Sequence, residues 1–323
     1  MSYNNGTYSI HGQFYQPGVY AGAIDVNQKR SRWTWFLVTG LIAAIGALVI
    51  VNLKALQQLS TNSKPINSPS VIQQTPTPIN QPAVVITQTP EEPKPTGPSS
   101  EDLQTLLNKW QQDYPASNVG VVIKELSGSK SSASLNADTR FEAASLYKLY
   151  LADYLYANVD KGIYSLSGSI GTSTNLQTCI KLMITISDNN CGESIGYGIG
   201  WLTLHRFVRA SGFSSTTMIN HNQTTAVDMA SYLEKLENGQ LLSAAFRDDL
   251  LSYMKGQIYR SAIPAGVPDI SVADKVGFKD NVWNDAAIVY HPKGTYILVV
   301  LSSGLGSSAI KDLSSRASSL MSQ

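Results

Sequence analysis

Residues 100–323 are predicted to form an α+β domain: one antiparallel sheet assembled from both ends of the segment, with a helical lobe inserted between them. Three observations predict this. Two strand-like stretches come early, three come late, and the residues between read almost entirely as helices. The segment also opens and closes on amphipathic helices, which then have a sheet to cover.

Ser99-Ser100-Glu101-Asp102 supplies hydroxyls to cap a helix and carboxylates for its first turn. Leu103, Leu106, Leu107 and Trp110 form its apolar stripe, and Pro115 ends it. Asn118 to Leu126, with Val119, Val121, Val122 and Ile123, reads as a buried strand. Ser127-Gly128-Ser129 turns it into a second strand ending near Leu135. A helix follows at Ser145, marked by Leu146, Leu149, Tyr150 and Tyr154 at i, i+3, i+4 and i+8. Thr174-Asn175 caps another with Leu176, Ile180 and Met183 on its face, leading to Ser187-Asp188-Asn189 in a loop between helices. Further helices are expected from Trp201 to Ala210, with Gly212 as the stop, from Thr224 through Leu236, and from Ser243 through Met254. Ile270 to Phe278, Ala286 to His291 and Tyr296 to Leu301 read as three strands, the last two joined at Pro292-Lys293-Gly294. A helix from about Ser307 to Met321 closes the chain.

The first hundred residues differ in character. Residues 1–32 form a Tyr-, Asn- and Gly-rich tail, read as a disordered cytoplasmic segment ending in Lys29, Arg30 and Arg32. The run from Trp33 to Leu53 carries no charge and matches the ~20 apolar residues that span a bilayer. Trp33 and Trp35 suit its interfacial end. The positive charges before the span predict a cytoplasmic N-terminus and an extracytoplasmic C-terminal bulk. The alternative, a cleaved signal peptide, has too short an apolar core and needs a small-x-small cleavage site that does not follow here. Residues 54–99 hold nine of the fourteen prolines, so a semi-extended linker is expected. With Lys+Arg 24 against Asp+Glu 23 and a net charge of +1, nothing points to nucleic acid.

Chemistry concentrates in three short motifs. In Ser145-x-x-Lys148 a hydroxyl and an amine share one helical face at the positive end of the helix dipole. Ser187-Asp188-Asn189 and Lys275-Val276-Gly277 follow in that order, the last on a strand that should border the first. Together the three resemble those of the penicillin-recognising serine hydrolases, in particular the class A β-lactamase-like family. The resemblance extends to Arg140-Phe141, to Met183-Ile-Thr-Ile-Ser-Asp-Asn, to Arg260-Ser-Ala-Ile-Pro-Ala-Gly and to Val272-Ala-Asp-Lys275. It covers about residues 100–323 and none of 1–99.

That resemblance implies a β-lactamase/transpeptidase-like fold and a role for each motif residue. Ser145 would attack a carbonyl and become acylated, with Lys148 as its base. Ser187 would relay a proton to the leaving nitrogen, Asn189 would bind the substrate amide, and Lys275 would face a substrate carboxylate. Val276 and Gly277 would line the substrate strand, and the N–H groups of Ser145 and Phe278 would form the oxyanion hole. No cofactor is implied and no metal cluster is visible; the expected substrate is a small molecule or a peptidoglycan-type envelope amide or ester. Two ammonium groups ~4 Å apart repel by about 4 kcal/mol at an effective dielectric of 20, on the order of three pKa units. A facing Lys148–Lys275 pair would thus bring a lysine near neutrality, and burial acts the same way.

Two departures temper the expected activity. Val276 stands where the family carries Thr or Ser, so one hydroxyl contact to a substrate carboxylate is lost. Residues 212–223 correspond to the loop that bears the deacylating glutamate in class A β-lactamases, yet they are short and contain no carboxylate. His221 is their one titratable side chain and reads as a solvent-exposed histidine. The stretch between Lys148 and Ser187 is also short, which predicts an open cleft. Glu142 and Glu193 flank motifs and read as helix-dipole partners. Cys179 and Cys191 are the only cysteines. A disulfide between them suits an extracytoplasmic domain, but Cys179 lies about 12 Å from Ser187 along a continuous helix, so a bridge requires the chain to fold back after Asn189. Both states stay open. A D-alanyl-D-alanine peptidase shares the three motifs, and a non-catalytic envelope-binding module could retain the cleft.

Overall fold

A computed structural model describes residues 97–115 and 118–323. The tail (1–32), the apolar run (33–53) and nearly all of the proline-rich segment (54–99) lie outside the described residues.

Helix α1, Ser100–Asp113, starts as its sequence dictates. Ser99 Oγ accepts from Asp102 N at 3.1 Å while the Asp102 carboxylate accepts from Ser99 N at 2.9 Å, a reciprocal capping box. Leu103, Leu107 and Trp110 are fully buried on its inner face. Trp110 Nε1 donates to Ala309 O at 3.0 Å and so fastens α1 to the C-terminal helix, Ser307–Met321.

Between these helices and the rest of the domain lies a five-stranded antiparallel sheet. Its strands are β1 (Asn118–Glu125), β2 (Ser132–Leu135), β5 (Val272–Lys279), β6 (Val282–His291) and β7 (Gly294–Ser303), in the spatial order β2-β1-β7-β6-β5. β7 is central and pairs Val121 with Val300 on one side; on the other, β6 sets Ala286 against Val299. Strand alternation sends Tyr296, Leu298 and Val300 toward α1 and the C-terminal helix, and Ile297, Val299 and Leu301 toward the helical lobe. Because both faces are covered, β7 reads as a continuous apolar run rather than an alternating one.

The helical lobe contains α2 (Tyr147–Asp160), α3 (Leu176–Thr185), α4 (Asn189–Ile199), α5 (Trp201–Ala210), α6 (Ala226–Glu237) and α7 (Ala244–Lys255). A minimal ribbon of β3 (Phe141–Glu142) and β4 (Gln223–Thr224) underlies the turn that leads into α2.

Three sequence expectations need correction. Helix α6 is capped by Thr225, whose Oγ1 accepts from Asp228 N at 3.1 Å; Thr224 is instead buried in β4. β6 begins at Val282, four positions before the expected Ala286, because Asn284 and Asp285 interrupt the apolar pattern without interrupting the ladder. Finally, α4 is absent from the sequence reading, since four glycines between Gly192 and Gly200 argue against a helix. Packing reverses that preference. A Cβ at Gly192 would lie 2.5 Å from Tyr147 Oη, and one at Gly196 would lie 2.4 Å from the Trp201 ring. Those glycines let α4 approach its neighbours.

Candidate active site

The Ser145 turn is built by its surroundings. Ala144 to Leu146 form one 3-10 turn running directly into α2, with Ala144 at φ 46°, a left-handed conformation costly for a side chain bearing a Cβ. Buried Asn284 holds the chain there: its Nδ2 donates to Glu142 O at 2.8 Å, and its Oδ1 accepts from Ser302 N at 3.0 Å. From the other side Asn222 Nδ2 donates to Ala144 O at 3.0 Å, and Asn222 O accepts from Ala143 N at 2.8 Å. Neither asparagine is evident as a site residue from sequence; the only signal is an Asn-Asp pair breaking an otherwise apolar strand at 284–285.

The second motif stands at a fold-back. Ser187 has φ 57°, and Asp188 caps α4 by accepting from Cys191 N at 2.7 Å. The reversal brings Cys179 and Cys191 together in a disulfide, with Cα atoms 5.3 Å apart, which ties α3 to α4 across the motif. Asn189 is thus the first residue of a helix rather than part of a loop.

Five motif side chains converge. Lys148 Nζ lies 3.0 Å from Ser145 Oγ, 2.6 Å from Ser187 O, 2.7 Å from Asn189 Oδ1 and 3.4 Å from Ser187 Oγ. Lys275 Nζ lies 2.9 Å from Ser187 Oγ and 2.9 Å from the carbonyl of Val276. Ser187 therefore stands between the two amines, and Lys275 reaches Ser145 only through that relay. Gly277 is where β5 meets the Ser145 turn: a Cβ there would sit 2.6 Å from Ala143 O and 3.2 Å from Ser145 N. Val276 is buried, whereas Phe278 is 42% exposed at the strand end.

Both lysines are fully buried, and burial is the first cause of their lowered pKa values. Lys148 falls to about 8, opposed by the charges of Asp188 and Glu193. Lys275 falls to about 7, through burial first and the charge of Lys148 second, against the pull of Asp274 and Asp285. The sequence argument made ammonium repulsion the main cause; here it ranks behind desolvation.

Two buried acids support β5. Asp274 accepts from Arg260 Nη1 at 2.7 Å, and Asp285 accepts from Ile263 N at 2.9 Å. Burial raises both carboxyl pKa values, Asp285 to about 7, and for Asp274 the charge of Asp285 adds to it. Glu142 is half-buried, while Glu193 and His221 are exposed. Among the described residues, no group of three His, Cys, Asp or Glu side chains could hold a metal ion.

Chemically, this is a hydroxyl facing an amine. A neutral amine has two N–H groups and one lone pair. Ser187 O and Asn189 Oδ1, the two shortest contacts of Lys148, accept both N–H groups. The remaining close contact of Nζ is the Ser145 hydroxyl at 3.0 Å, a donated hydrogen bond while the amine is protonated.

Comparison with known proteins agrees in extent and fold. Residues 98–322 match the Beta-lactamase enzyme family. PBP-A is 26% identical, with 70% of this chain and 98% of that one covered at a TM-score of 0.62; a mutant of PBP-A is known as an acyl-enzyme complex with penicillin G. β-Lactamases of Xanthomonas campestris pv. campestris (23% identity, 69% and 98% covered, TM-score 0.63) and Sphaerobacter thermophilus (22%, 66% and 95%, 0.61) share the fold. The α+β sheet-and-lobe architecture, the family match and its span together make this chain a member of the β-lactamase enzyme family.

Proposed function

We propose that this protein is a membrane-anchored, extracytoplasmic serine hydrolase that acts on a cell-envelope amide or ester through an acyl-enzyme on Ser145. The single observation carrying this is the buried Lys148 amine, whose Nζ lies 3.0 Å from Ser145 Oγ while its two shorter contacts, Ser187 O and Asn189 Oδ1, are acceptors that would take the N–H groups of the neutral amine. Ser145 Oγ attacks the carbonyl carbon, and its proton passes to Lys148 Nζ. The N–H groups of Ser145 and Phe278 receive the oxyanion. On collapse the bond to the leaving group breaks, and Ser187 Oγ–H gives that group its proton. Ser187 is reprotonated from Lys148 through the contact at 3.4 Å. Water then cleaves the Ser145 ester.

Deacylation is the slow step in this reading. Asn222, from the 212–223 segment, adjoins the Ser145 turn, but a carboxamide does not take a proton from water at neutral pH. The apolar run 33–53 supplies the anchor and residues 54–99 the spacer. A D-alanyl-D-alanine peptidase would use the same residues. A non-catalytic envelope-binding module is favoured by Val276 and by the lack of a carboxylate in 212–223.

The test is the full chain in detergent, incubated with a fluorescent penicillin or a general serine-directed acylating probe, beside Ser145→Ala. Label that depends on Ser145 and persists for hours supports a slowly deacylating hydrolase. Rapid loss with product release marks a β-lactamase, and no label with any acyl donor leaves the binding module.

A further inference from the structure

An apolar band borders the site, and its ends abut two of the motifs. Phe278, directly after Gly277, is 42% exposed and stacks on Trp283 with ring centroids 5.3 Å apart. Its other side meets Tyr259 edge-on, also at 5.3 Å. The neighbouring Ile258 is 59% exposed, and its N–H donates to Thr185 O at 3.0 Å. That bond seats the loop beside Ile186, which is 39% exposed and immediately precedes Ser187. Isolated exposed apolar side chains need no explanation, but a continuous band beside reactive groups marks a binding surface.

Of the cations next to this band, Lys275 and Arg260 are already engaged, and exposed Lys279, paired with Val282, lies by strand alternation on the face opposite Phe278. Lys275 is buried, with its amine donating to Ser187 Oγ and Val276 O. Arg260 Nη1 donates to the Asp274 carboxylate and to Val272 O at 3.2 Å. Val276 offers no hydroxyl. A carboxylate laid against Phe278 and Trp283 would lose hydration without gaining a matched donor set, whereas a neutral ring or branched chain would bury apolar area on them.

Resting on the serine-hydrolase reading above, we infer that the substrate carries an uncharged aromatic or aliphatic leaving group, seated on Phe278, Trp283 and Tyr259. The leaving side is assigned because the band begins next to Ser187, the proposed proton donor to the leaving atom. Acylation forms the Ser145 Oγ–C bond and breaks the C–O or C–N bond to that group, which departs with the proton from Ser187.

The test uses two esters with one acyl group, a phenyl ester and its 3-carboxyphenyl counterpart, each rate divided by that for hydroxide-catalysed hydrolysis. With the full chain in detergent, acylation of Ser145 by the phenyl ester is expected to be about tenfold faster. The ratio should approach one in Phe278→Ala and invert in Phe278→Lys, an exposed position where a lysine folds without strain. An equal or faster 3-carboxyphenyl ester, or a ratio unmoved in both variants, overturns the inference. If neither ester acylates Ser145, the hydrolase reading fails separately. Calorimetry of Ser145→Ala with the matching anilides then decides the surface: tighter binding of the neutral anilide sustains it, and equal or tighter binding of the carboxylate refutes it.

Discussion

Replacing Lys275 by methionine should make the protein more stable at pH 6 and less stable at pH 10, while abolishing acylation. Lys275 is fully buried, and its pKa falls from 10.5 to about 7, chiefly because burial penalises the ammonium. Below pH 7 the amine is protonated in both folded and unfolded chains, so the folded state bears the whole cost. Between pH 7 and 10.5 the unfolded chain binds more protons, and stability rises with pH. Above 10.5 neither state is charged and the cost is gone. A shift of that size corresponds to about 5 kcal/mol at acid pH. Against it stand two lost hydrogen bonds, to Ser187 Oγ and Val276 O, at about 1–3 kcal/mol for each acceptor left unpaired. Methionine fills a similar volume without a charge. Taking about 2 kcal/mol for each acceptor, the net is a gain of ~1 kcal/mol at pH 6, or about 2–4 °C in Tm for a domain of this size, and a loss of ~3 kcal/mol at pH 10, where about 1 kcal/mol of the charge cost remains. Thermal melts of the full chain and of Lys275→Met, followed by circular dichroism at both pH values, measure it. If the variant is destabilised equally at pH 6 and pH 10, desolvation is not what lowers this lysine's pKa.

With neutral Lys148 as the proposed base, acylation of Ser145 should rise with pH and level off above about 8. The Glu193 carboxylate holds that pKa up, so Glu193→Gln should move the midpoint to lower pH, and a flat rate profile would exclude Lys148 as the base. Replacing Cys179 and Cys191 by serine opens a loop of sequence separation 12 and should cost about 3 kcal/mol in urea unfolding. Gly277→Ala drives a methyl to 2.6 Å from Ala143 O; acylation should fall by about 10²–10³-fold, as when an oxyanion donor is lost, with the measurement being labelling rate at unchanged secondary structure. Asp153 is buried in α2, and desolvation raises its pKa from 3.8 to about 7. The folded state therefore keeps its proton, and stability declines as pH rises from 3.8 through 7. Asp153→Asn should accordingly raise stability at pH 8 by up to about 4 kcal/mol and have little effect below pH 4, as melts at the two pH values would show.

What was legible in the sequence was whatever local periodicity or capping chemistry decides. The terminal helices, the 201–210 helix and the three late strands follow from stripe, cap and turn residues. The motif spacing also brought Ser145 and Lys148 together correctly, since i and i+3 share a face. What escaped was set by tertiary contact. Helix α4 forms against its own glycine content because Tyr147 and Trp201 occupy the space that side chains would need. The disulfide could not be decided from a 12-residue separation because the fold-back depends on one residue, Ser187, adopting a positive φ. Asn222 and Asn284 carry no motif signature; their role comes from carbonyls they meet across 78 and 142 positions of sequence.

Those two asparagines explain how an unfavourable site persists. Ala144 and Ser187 are both left-handed, a cost of order 1–3 kcal/mol each, and both sit beside amines that burial disfavours as cations. Within the motifs, the Asp188 cap and the Lys148 contacts to Ser187 O and Asn189 Oδ1 support the second turn, but no motif side chain bonds the backbone of the Ala144 turn. The arrangement is otherwise held from outside: Asn284 joins β6, β7 and the turn before Ser145, Asn222 grips the same turn from the 212–223 segment, and Cys179–Cys191 closes the second motif. Each support takes its leverage from a buried hydrogen bond or a covalent link rather than from surface charge, so the geometry is insensitive to salt. The Ser145 hydroxyl and its two amines are thus positioned by residues outside the three motifs, and loss of any one support should relax the strained turns before it unfolds the sheet.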